Sequence, residues 1–387
     1  MATGTANNTN TAYIQVVLEG DDKQELSTGE VRSAEVEDND RLIDKATVVV
    51  DDPHGTIMDL FKERVTLRVD MGWGTEYATL FKGAVTQVPS VSQNGERQVK
   101  ITAFDFSYRM MLGDPVNKSH TGKLSEIIER IVTSDPYNIP KGQIKVNNEP
   151  TFTKEKPLKQ VHQRDWEFIQ YLAFLYKARA YVEYNDGKSQ FYFHPESQLL
   201  RGDRMGTLTY CQGFSQLIEF KFQRIASGAD ALRSAMAMDK DTGETVKSPP
   251  PPPKAPDKPD APDPDKTAAL AKISPQEATT YEEAQNALAK LTEPDQHPKE
   301  KILGASSDPD DLKRLVQQDP TRILGLFGEG KAVGTVKLRA KGKIGIQGIS
   351  TWAEGDWYVR KAVHIYKRDI KDKEDHSTYY TKFVVTR

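Results

Sequence analysis

The sequence predicts an α+β fold that is mainly β, with a strand-rich segment at each end, a mixed α/β segment between them and a proline-rich linker before the last segment. Three observations support this prediction. Residues 1–112 contain short runs in which apolar and polar residues alternate, as in strands with one buried face. Residues 113–205 contain two stretches with the apolar spacing of helices. Residues 331–387 return to β-branched and aromatic residues.

The composition of the 387 residues excludes several classes of protein. The chain is 37% hydrophobic and 28% charged, which is ordinary for a soluble protein with more than one core. Its 53 Lys and Arg residues against 56 Asp and Glu give a net charge of −3, which argues against a globally basic nucleic-acid-binding protein. One cysteine, Cys211, excludes an intramolecular disulfide and a cysteine-rich zinc fold. No run reaches the ~18 apolar residues of a membrane span, and residues 1–10 lack the apolar centre of a secretion signal. We therefore expect synthesis in a cytoplasm and no membrane insertion.

The first segment, residues 1–112, is predicted to be an antiparallel barrel or sandwich. Its strict alternation is clearest from Val65 to Met71. Asn94-Gly95 is a hairpin signal between its last two strands. The predicted strands are Ala12–Leu18, Lys45–Val50, Val65–Met71, Tyr77–Val88 and Gln98–Phe106. Short antiparallel strands joined by tight turns are typical of small all-β domains.

The mixed segment, residues 113–205, is predicted to hold two helices and a hairpin. The first helix buries one face, formed by Leu124, Ile127, Ile128, Ile131 and Val132. The second runs from about Asp165 to Lys177, with Asp165 as its N-cap and Glu167 favourable in the first turn. Its inner face holds Trp166 as a core anchor, with Phe168, Ile169, Leu172 and Tyr176. The hairpin pairs Arg179–Tyr184 with Ser189–His194 around Asn185-Asp186-Gly187.

Residues 231–330 are predicted to be a proline-rich linker and a partly helical insertion. Ser248–Pro264 holds nine of the chain's 22 prolines, which fix φ and lack an amide donor, so we expect an extended, solvated spacer. A capping box at Thr280–Glu283 predicts a helix that continues from Ala284 to Leu291.

The last segment, residues 331–387, is predicted to repeat the first. Strands are expected at Trp357–Tyr366 and Tyr379–Thr386, and Trp357 is expected to pack at a sheet end. Val336-Lys337-Leu338-Arg339 echoes Val65-Thr66-Leu67-Arg68, which suggests duplication of a small β-domain.

The two β segments carry opposite charge. Residues 1–112 hold 11 Lys/Arg against 18 Asp/Glu, a net charge of −7, and residues 331–387 hold 13 against 6, a net charge of +7. One interpretation is chance surface composition. The other is that the first barrel of one chain faces the last barrel of another, so that the opposite potentials steer assembly. The proposed inter-barrel charges are Lys331, Lys337, Arg339, Lys341 and Lys343.

Motifs for catalysis are missing from the sequence. The seven histidines form no HExxH pair, and there is neither a P-loop nor a GxSxG elbow. We interpret Cys211 as a buried or idle thiol, because nothing near it in sequence suggests an activating base. We therefore predict no catalytic residues, no cofactor-binding residues and no metal ligands. A glycosidase pair of carboxylates stays open, because such pairs assemble in space.

Two sequence motifs stand out, one in the mixed segment and one near the C-terminus. The first, VHQRDWEFIQYLA from Val161 to Ala173, contains Asp165, Trp166, Glu167, Phe168 and Leu172. The second contains Gly355, Asp356, Trp357, Val363, His364 and Tyr380. Both motifs resemble those of the phage late-control protein D family, and type VI secretion spike proteins share the helix that begins in the first motif. The early Phe81-Lys82-Gly83 strand, which leads to Ile101–Asp105, also fits the family. Departures are Tyr171 in place of an arginine, Ser377-Thr378 in place of a glycine, and Lys299–Gly330, which has no counterpart.

The resemblance implies the central hub of a contractile-tail baseplate. Such a hub is a homotrimer in which each chain carries two tube-like antiparallel β-barrels, here residues 1–112 and residues 206–230 with 331–387. Its expected partners are the tail tube protein, a trimeric spike protein and baseplate wedge proteins, and DNA passes through it without sequence-specific binding. The protein is expected in the virion tail after assembly in the host cytoplasm. Because the chain stops soon after the last predicted strand, we expect the spike to be a separate polypeptide.

Three alternatives stay open at this point. The chain could serve an extracellular contractile injection system or a type VI spike. A protein of another class would be a tail-associated hydrolase of cell-wall glycans, and a third possibility is a carbohydrate-binding module.

Overall fold

The computed structural model describes residues 11–20, 23–26, 29–60, 65–93, 96–185, 187–211, 215–224, 235–239, 242–247, 301–306, 312, 314, 326–368, 370–371, 374–375 and 377–387. Large antiparallel sheets and a few short helices form this part of the chain, which confirms the predicted α+β, mainly β class. The proline-rich stretch Ser248–Pro264 and the helix predicted at Ala284–Leu291 lie outside the described residues.

The first strand group contains β1 to β8 and two short 3-10 turns, at Ile57–Leu60 and Phe106–Tyr108. Alternating side chains of these strands point into one core, because successive residues of a strand face opposite sides. β1 pairs along its whole length with β5, from Ala12 opposite Trp73 to Glu19 opposite Thr66. The strands are β1 Ala12–Glu19, β2 Lys23–Leu26, β3 Val31–Asn39, β4 Lys45–Asp51, β5 Thr66–Trp73, β6 Glu76–Gln87, β7 Ser90–Gln93 and β8 Glu96–Phe104.

The strands predicted in this group are confirmed to within two residues. Val16, Leu67 and Val69 are fully buried, as the alternation required. The predicted turn at Asn94-Gly95 lies outside the described residues, but the flanking strands β7 and β8 pair with Gln93 opposite Glu96. Strand β3 was not predicted.

A short helix, α1 Arg109–Leu112, connects the first strand group to the middle segment, which has three helices and seven strands in its described residues. The three helices are α2 Leu124–Thr133, α3 Asp165–Leu175 and α4 Glu196–Arg201. The strands are β9 Val116–His120, β10 Gly122–Lys123, β11 Lys141–Ile144, β12 Thr151–Phe152, β13 Leu158–Gln163, β14 Ala178–Asn185 and β15 Lys188–Pro195. Helices α2 and α3 and the hairpin β14–β15 enclose a second core.

Helix α3 lies where the sequence predicted it, with one correction. It begins at Asp165, so the N-cap is Arg164 and not Asp165. Glu167 completes the cap, because its Oε2 accepts a hydrogen bond from the Arg164 amide at 2.9 Å. The Asp165 carboxylate is engaged elsewhere, since it accepts hydrogen bonds from Tyr137 and Gln160 at 2.9 and 2.8 Å.

The second strand group contains β16, β17, β21, β22, β23 and β26 and has its own core around Trp357. Its strands are β16 Arg204–Thr209, β17 Leu217–Arg224, β21 Leu326–Val333, β22 Lys343–Gln347, β23 Gly355–Lys367 and β26 Thr378–Thr386. Short strands outside the main sheet are β18 Ala235–Asp239, β19 Thr245–Lys247, β20 Lys301–Ser306, β24 Ile370–Lys371 and β25 Glu374–Asp375.

The predicted echo of Val65–Arg68 at Val336–Arg339 is wrong. Thr66–Trp73 is a strand, whereas residues 336–339 lie in the irregular connection between β21 and β22. This connection turns so that Leu338 enters the core of the second strand group while Arg339 reaches an acid of the first. Tertiary contacts therefore override the local alternation.

The two strand groups belong to one continuous sheet. Strand β23 pairs antiparallel with β3, from Lys361 opposite Asn39 to Lys367 opposite Ser33. The path through the sheet runs β17-β21-β26-β23-β3-β4-β8-β6-β5-β1-β2, so β17 and β2 stand at its two ends. Side chains also cross the junction, since Tyr366 and Tyr379 of the second group are buried in the core of the first. No helix within the described ranges is both long and apolar enough to span a membrane.

Candidate functional site at the junction of the strand groups

The β21–β22 connection lies across the end of β3 and is held there by backbone hydrogen bonds. The Ala340 amide donates to Asp38 Oδ2 at 3.0 Å, and the Lys341 amide donates to the Val359 carbonyl at 2.9 Å. On the opposite side, the Asp40 amide donates to the Arg360 carbonyl at 2.9 Å. The junction therefore begins as an extension of the β3–β23 ladder.

Lys341 is the centre of the junction. Its side chain is 2% exposed, and its Nζ donates to Asp38 Oδ1 at 2.5 Å, to the Asn39 carbonyl at 3.0 Å and to Asp44 Oδ2 at 3.3 Å. An ammonium group has three protons, so these three acceptors satisfy it fully. The backbone of Lys341 has φ +67°, a conformation that non-glycine residues adopt rarely. The surrounding contacts hold this strained residue in place.

Arg339 links three parts of the chain. Its Nε donates to Asp38 Oδ2 at 2.7 Å, and its Nη2 lies 3.3 Å from Glu183 Oε1 on β14. The Lys341 ammonium also lies 5.0 Å from the ring centroid of Tyr181, on the same strand. The middle segment thus contacts the junction through β14, while β3 and the β21–β22 connection contribute the opposite charges.

A second ion cluster continues this contact. Arg179 at the start of β14 pairs with Asp40 at 3.5 Å and, closer still, with Glu196 of α4. Asp40, Arg179 and Glu196 are all buried. Removing one member of such a cluster leaves an uncompensated charge in the interior, so clusters of this kind hold their elements in one relative position.

Two buried carboxylates support the loop that follows β3. The Asp44 amide donates to Asp105 Oδ2 at 2.7 Å, and the Asp105 amide donates to the Asp44 carbonyl at 3.0 Å. Asp44 Oδ1 accepts from the Asn39 amide at 2.7 Å, and Asp105 Oδ1 accepts from the Ser107 amide at 2.7 Å. Asp44 therefore joins Lys341 to the connector between the first strand group and the middle segment.

Burial and neighbouring charges shift the pKa values of this cluster in opposite directions. Burial alone would raise the pKa of Asp38, but Lys341 and Arg339 outweigh it and hold that pKa well below its ordinary value. Burial alone would lower the pKa of Lys341, yet Asp38 and Asp44 raise it well above the usual range. Burial raises the pKa of Asp105 to about 6, against the lowering by its hydrogen bonds from Ser107.

The pKa of Asp44 is raised although Lys341 lies beside it. Burial is the largest cause, and the neighbouring carboxylates of Asp38 and Asp105 add to it, which together exceed the attraction of Lys341. Asp38 therefore carries the charge that balances Lys341, while the pKa values of Asp44 and Asp105 are both raised. We assign the Asp38–Lys341 pair as ionised.

The first sequence motif lies in the middle segment, away from the junction. Trp166, Phe168 and Leu172 are buried in its core, as predicted for this helix. Asp165 and Glu167 hold the start of α3, as described above.

The second motif builds the core and edge of the second strand group. Trp357 is fully buried and donates from Nε1 to the Ala353 carbonyl at 2.9 Å, which agrees with its predicted packing role. Gly355 has φ +125°, and the Asp356 carboxylate pairs with Arg204 at 2.5 Å. The remaining members, Val363, His364 and Tyr380, lie on β23 and β26. The His364 ring is fully buried, and its Nδ1 lies 2.8 Å from the Tyr379 hydroxyl.

The five proposed inter-barrel cations have different surroundings. Arg339 and Lys341 contact acids of the first strand group in the same chain, as described above. Lys337 is 64% exposed and lies 3.6 Å from Glu76 of that group. Lys331 lies 4.2 Å from the ring centroid of Tyr380, and Lys343 pairs with Asp356 at 3.3 Å. Whether any of these residues meets another chain stays a prediction.

Sequence reasoning missed the acids and the middle-segment residues of the junction. The one local signal was the run Asp38-Asn39-Asp40. Aspartate and asparagine are depleted in strands, so such a run indicates where a strand ends. No group of three His, Cys, Asp or Glu in the described ranges could hold a metal ion. Cys211, interpreted as a buried or idle thiol, is exposed.

Solved structures of other proteins share this fold, although no sequence comparison finds a relative. No protein-family model and no curated protein sequence matches the chain. A tail protein from Neisseria meningitidis MC58 matches it with a TM-score of 0.60 at 8% identity, over 97% of each chain. The 43 kDa tail protein of prophage MuSo2 from Shewanella oneidensis matches with a TM-score of 0.59 at 10% identity, over 97% of this chain and 98% of that one.

A third solved structure extends the comparison beyond phage tails. A type VI secretion component from E. coli, itself structurally similar to tail proteins of bacteriophage T4, matches with a TM-score of 0.54 at 10% identity, over 97% of this chain and 76% of that one. At these identities the likeness shows the fold alone. The chain has the fold of phage tail proteins and of this type VI component, which confirms at the level of fold the resemblance found in the sequence.

Proposed function

We propose that this chain is the central hub protein of the baseplate of a contractile phage tail. Three copies form a ring that joins the hexameric tail tube to the trimeric spike. Baseplate wedge proteins bind around the ring, and DNA passes through it without sequence-specific contacts. The protein is assembled in the host cytoplasm, resides in the virion tail and performs no bond chemistry.

The β3–β23 ladder is the observation that carries this proposal. It places two strand groups of one chain side by side in a single sheet. If each group closes into a tube, three chains supply six tubes, and threefold symmetry approximates the sixfold symmetry of a tail tube. The buried cluster around Lys341 fixes the angle between the two groups, which a ring of defined size requires.

The ends of the sheet are the proposed contacts between chains. Strand β17 carries the exposed residues Ile218 and Lys221, and β2 is exposed at Lys23–Glu25. An exposed edge strand has unpaired backbone groups that can bind a further strand. Because the first segment has a net charge of −7 and the last a net charge of +7, contact between unlike groups is favoured over contact between like groups.

A phage-derived injection device is the second candidate. The fold match to a type VI secretion component favours it, because the same ring would serve a tail that delivers a protein. The two candidates share the hub architecture and differ in what passes through it.

Electron microscopy of the purified assembly tests the proposal. We expect end-on class averages with three identical units and six surrounding densities. Averages with one density per chain would contradict it. A parallel assay on peptidoglycan tests the hydrolase alternative, since robust turnover would identify a glycan hydrolase and refute a purely structural role.

A further inference from the structure

A cavity of about 380 Å³ lies between the first strand group and the middle segment. The first group contributes Glu19 and Lys82, and the connector after β8 contributes Phe106 and Arg109. The middle segment contributes the loop 137–140 and the start of β15. Ligand sites commonly lie where segments of a chain meet in this way.

The cavity is cationic, although the surrounding first segment is acidic overall. Its one acid, Glu19, is already paired with Lys82 at 2.6 Å. Arg109 has no acidic partner among the residues that the structure describes, and its guanidinium lies 4.5 Å from the ring centroid of Phe106. Burial lowers the pKa of Arg109, which is the direction expected for a cation that lacks a counter-ion. Lys188 adds a further cation that forms no ion pair within the described part of the chain.

An apolar wall completes the cavity. Pro140 is exposed and Phe106 is half-buried, whereas Ile139 and the hydroxyl of Ser189 lie behind them and are buried. A guanidinium stacked on an aromatic ring beside an apolar wall suits a carboxylate carried on a short hydrocarbon stem. Inorganic phosphate would leave the apolar wall without a partner.

We propose that this cavity binds a carboxylate on an apolar stem, the chemistry of a glutamate side chain of a partner polypeptide. Arg109 pairs with the carboxylate through two parallel hydrogen bonds, and Pro140 contacts the stem. Lys188 at the rim increases the rate of encounter and adds less to affinity, because it is exposed. The site is independent of the function proposed above.

Ligand-observed NMR on the full chain tests the site with four probes. These are N-acetyl-glutamate methylamide, its glutamine counterpart, glutarate and inorganic phosphate. We expect saturable binding of the glutamate probe and at least tenfold weaker binding of the glutamine probe. A glutamate probe that binds more tightly than glutarate indicates a protein side chain as the natural ligand, and the reverse order indicates a free dicarboxylate and overturns the partner assignment.

Variants distinguish binding at this site from non-specific attraction of the probe by positive charge. Arg109→Gln should weaken the glutamate probe at least tenfold, Arg109→Lys should restore part of the binding, and Lys188→Gln should weaken it two- to threefold. Arg130→Gln is the matched control, because Arg130 is an exposed arginine of α2 outside the cavity. The proposal would be overturned if a folded Arg109→Gln variant bound the glutamate probe unchanged, or if Arg109→Gln and Arg130→Gln bound it equally. It would also be overturned if inorganic phosphate bound more tightly than the glutamate probe, or if binding of that probe did not saturate by about 20 mM.

Discussion

Lys341→Met is the substitution that tests the junction most sharply. It keeps the length and the backbone preference of the side chain and removes the ammonium that three acceptors contact. Asp38 would keep only Arg339 as a charged partner, and Asp44 would lose its cation. Breaking a buried ion pair by removing one partner typically costs about 3–5 kcal/mol. At about 2–4 °C per kcal/mol for a unit of this size, the thermal midpoint should fall by about 6–20 °C.

The matched control is Lys361→Met on the same face of the junction. Lys361 also contacts an acid of the first strand group, Glu37 at 2.6 Å, but its side chain is 36% exposed. An exposed pair of this kind contributes about 0–1 kcal/mol. Differential scanning calorimetry of both variants measures the difference, and hydrogen exchange of the β3 amides locates it. If Lys341→Met shifted the midpoint no more than Lys361→Met, the cluster would not hold the two strand groups together.

The remaining predictions concern proton linkage and assembly. Asp105 has its pKa raised to about 6 in the folded state by burial, so the folded state binds a proton that the unfolded state releases near pH 4. Relative to Asp105→Asn, the wild-type unfolding free energy should therefore fall by about 3 kcal/mol as the pH rises from 4 to 7, and parallel urea titrations that fail to diverge would contradict this. His364 is the opposite case, because burial lowers its pKa to about 3, so wild-type stability relative to His364→Gln should fall by up to about 5 kcal/mol as the pH drops from 7 to 3. Equal acid sensitivity of the two proteins in thermal scans would count against this. The half-buried Lys331 and the exposed Lys337 are suited to testing contact between chains, because reversing Arg339 or Lys341 would disrupt each chain first. We expect Lys331→Glu with Lys337→Glu to weaken assembly and reduce its salt dependence in analytical ultracentrifugation, and unaltered assembly would remove the charge hypothesis.

The strands and helices with regular periodicity were predictable from the sequence. The alternation from Val65 to Met71 identified β5, and the spacing of Trp166, Ile169 and Leu172 identified the buried face of α3. In both cases the same residues that define the pattern also form the core, so local sequence and tertiary packing agree. Strand β3 escaped prediction because two of its buried positions hold Ala34 and Asp38, which contribute little to an apolar pattern, and the strand ends at Asn39.

The junction could not be predicted from the sequence. Asp38 and Lys341 are separated by 303 positions and belong to no common motif. The opposite net charges of the terminal segments indicated that unlike surfaces meet, but not that Arg339 and Lys341 would pair within one chain. The echo of Val65–Arg68 at Val336–Arg339 failed for the same reason, since residues 336–339 contact distant parts of the chain and do not pair in a ladder. Burial of charge is decided by the tertiary fold, and local periodicity carries no information about it.

The mass of the purified protein in solution tests the central claim most directly. Two strand groups in each chain match a sixfold tube when three chains assemble. Light scattering coupled to size exclusion should therefore give three times the 43.4 kDa of one chain, with dissociation to monomers at high salt. A stable monomer at micromolar concentration, or a dimer or tetramer, would contradict the account.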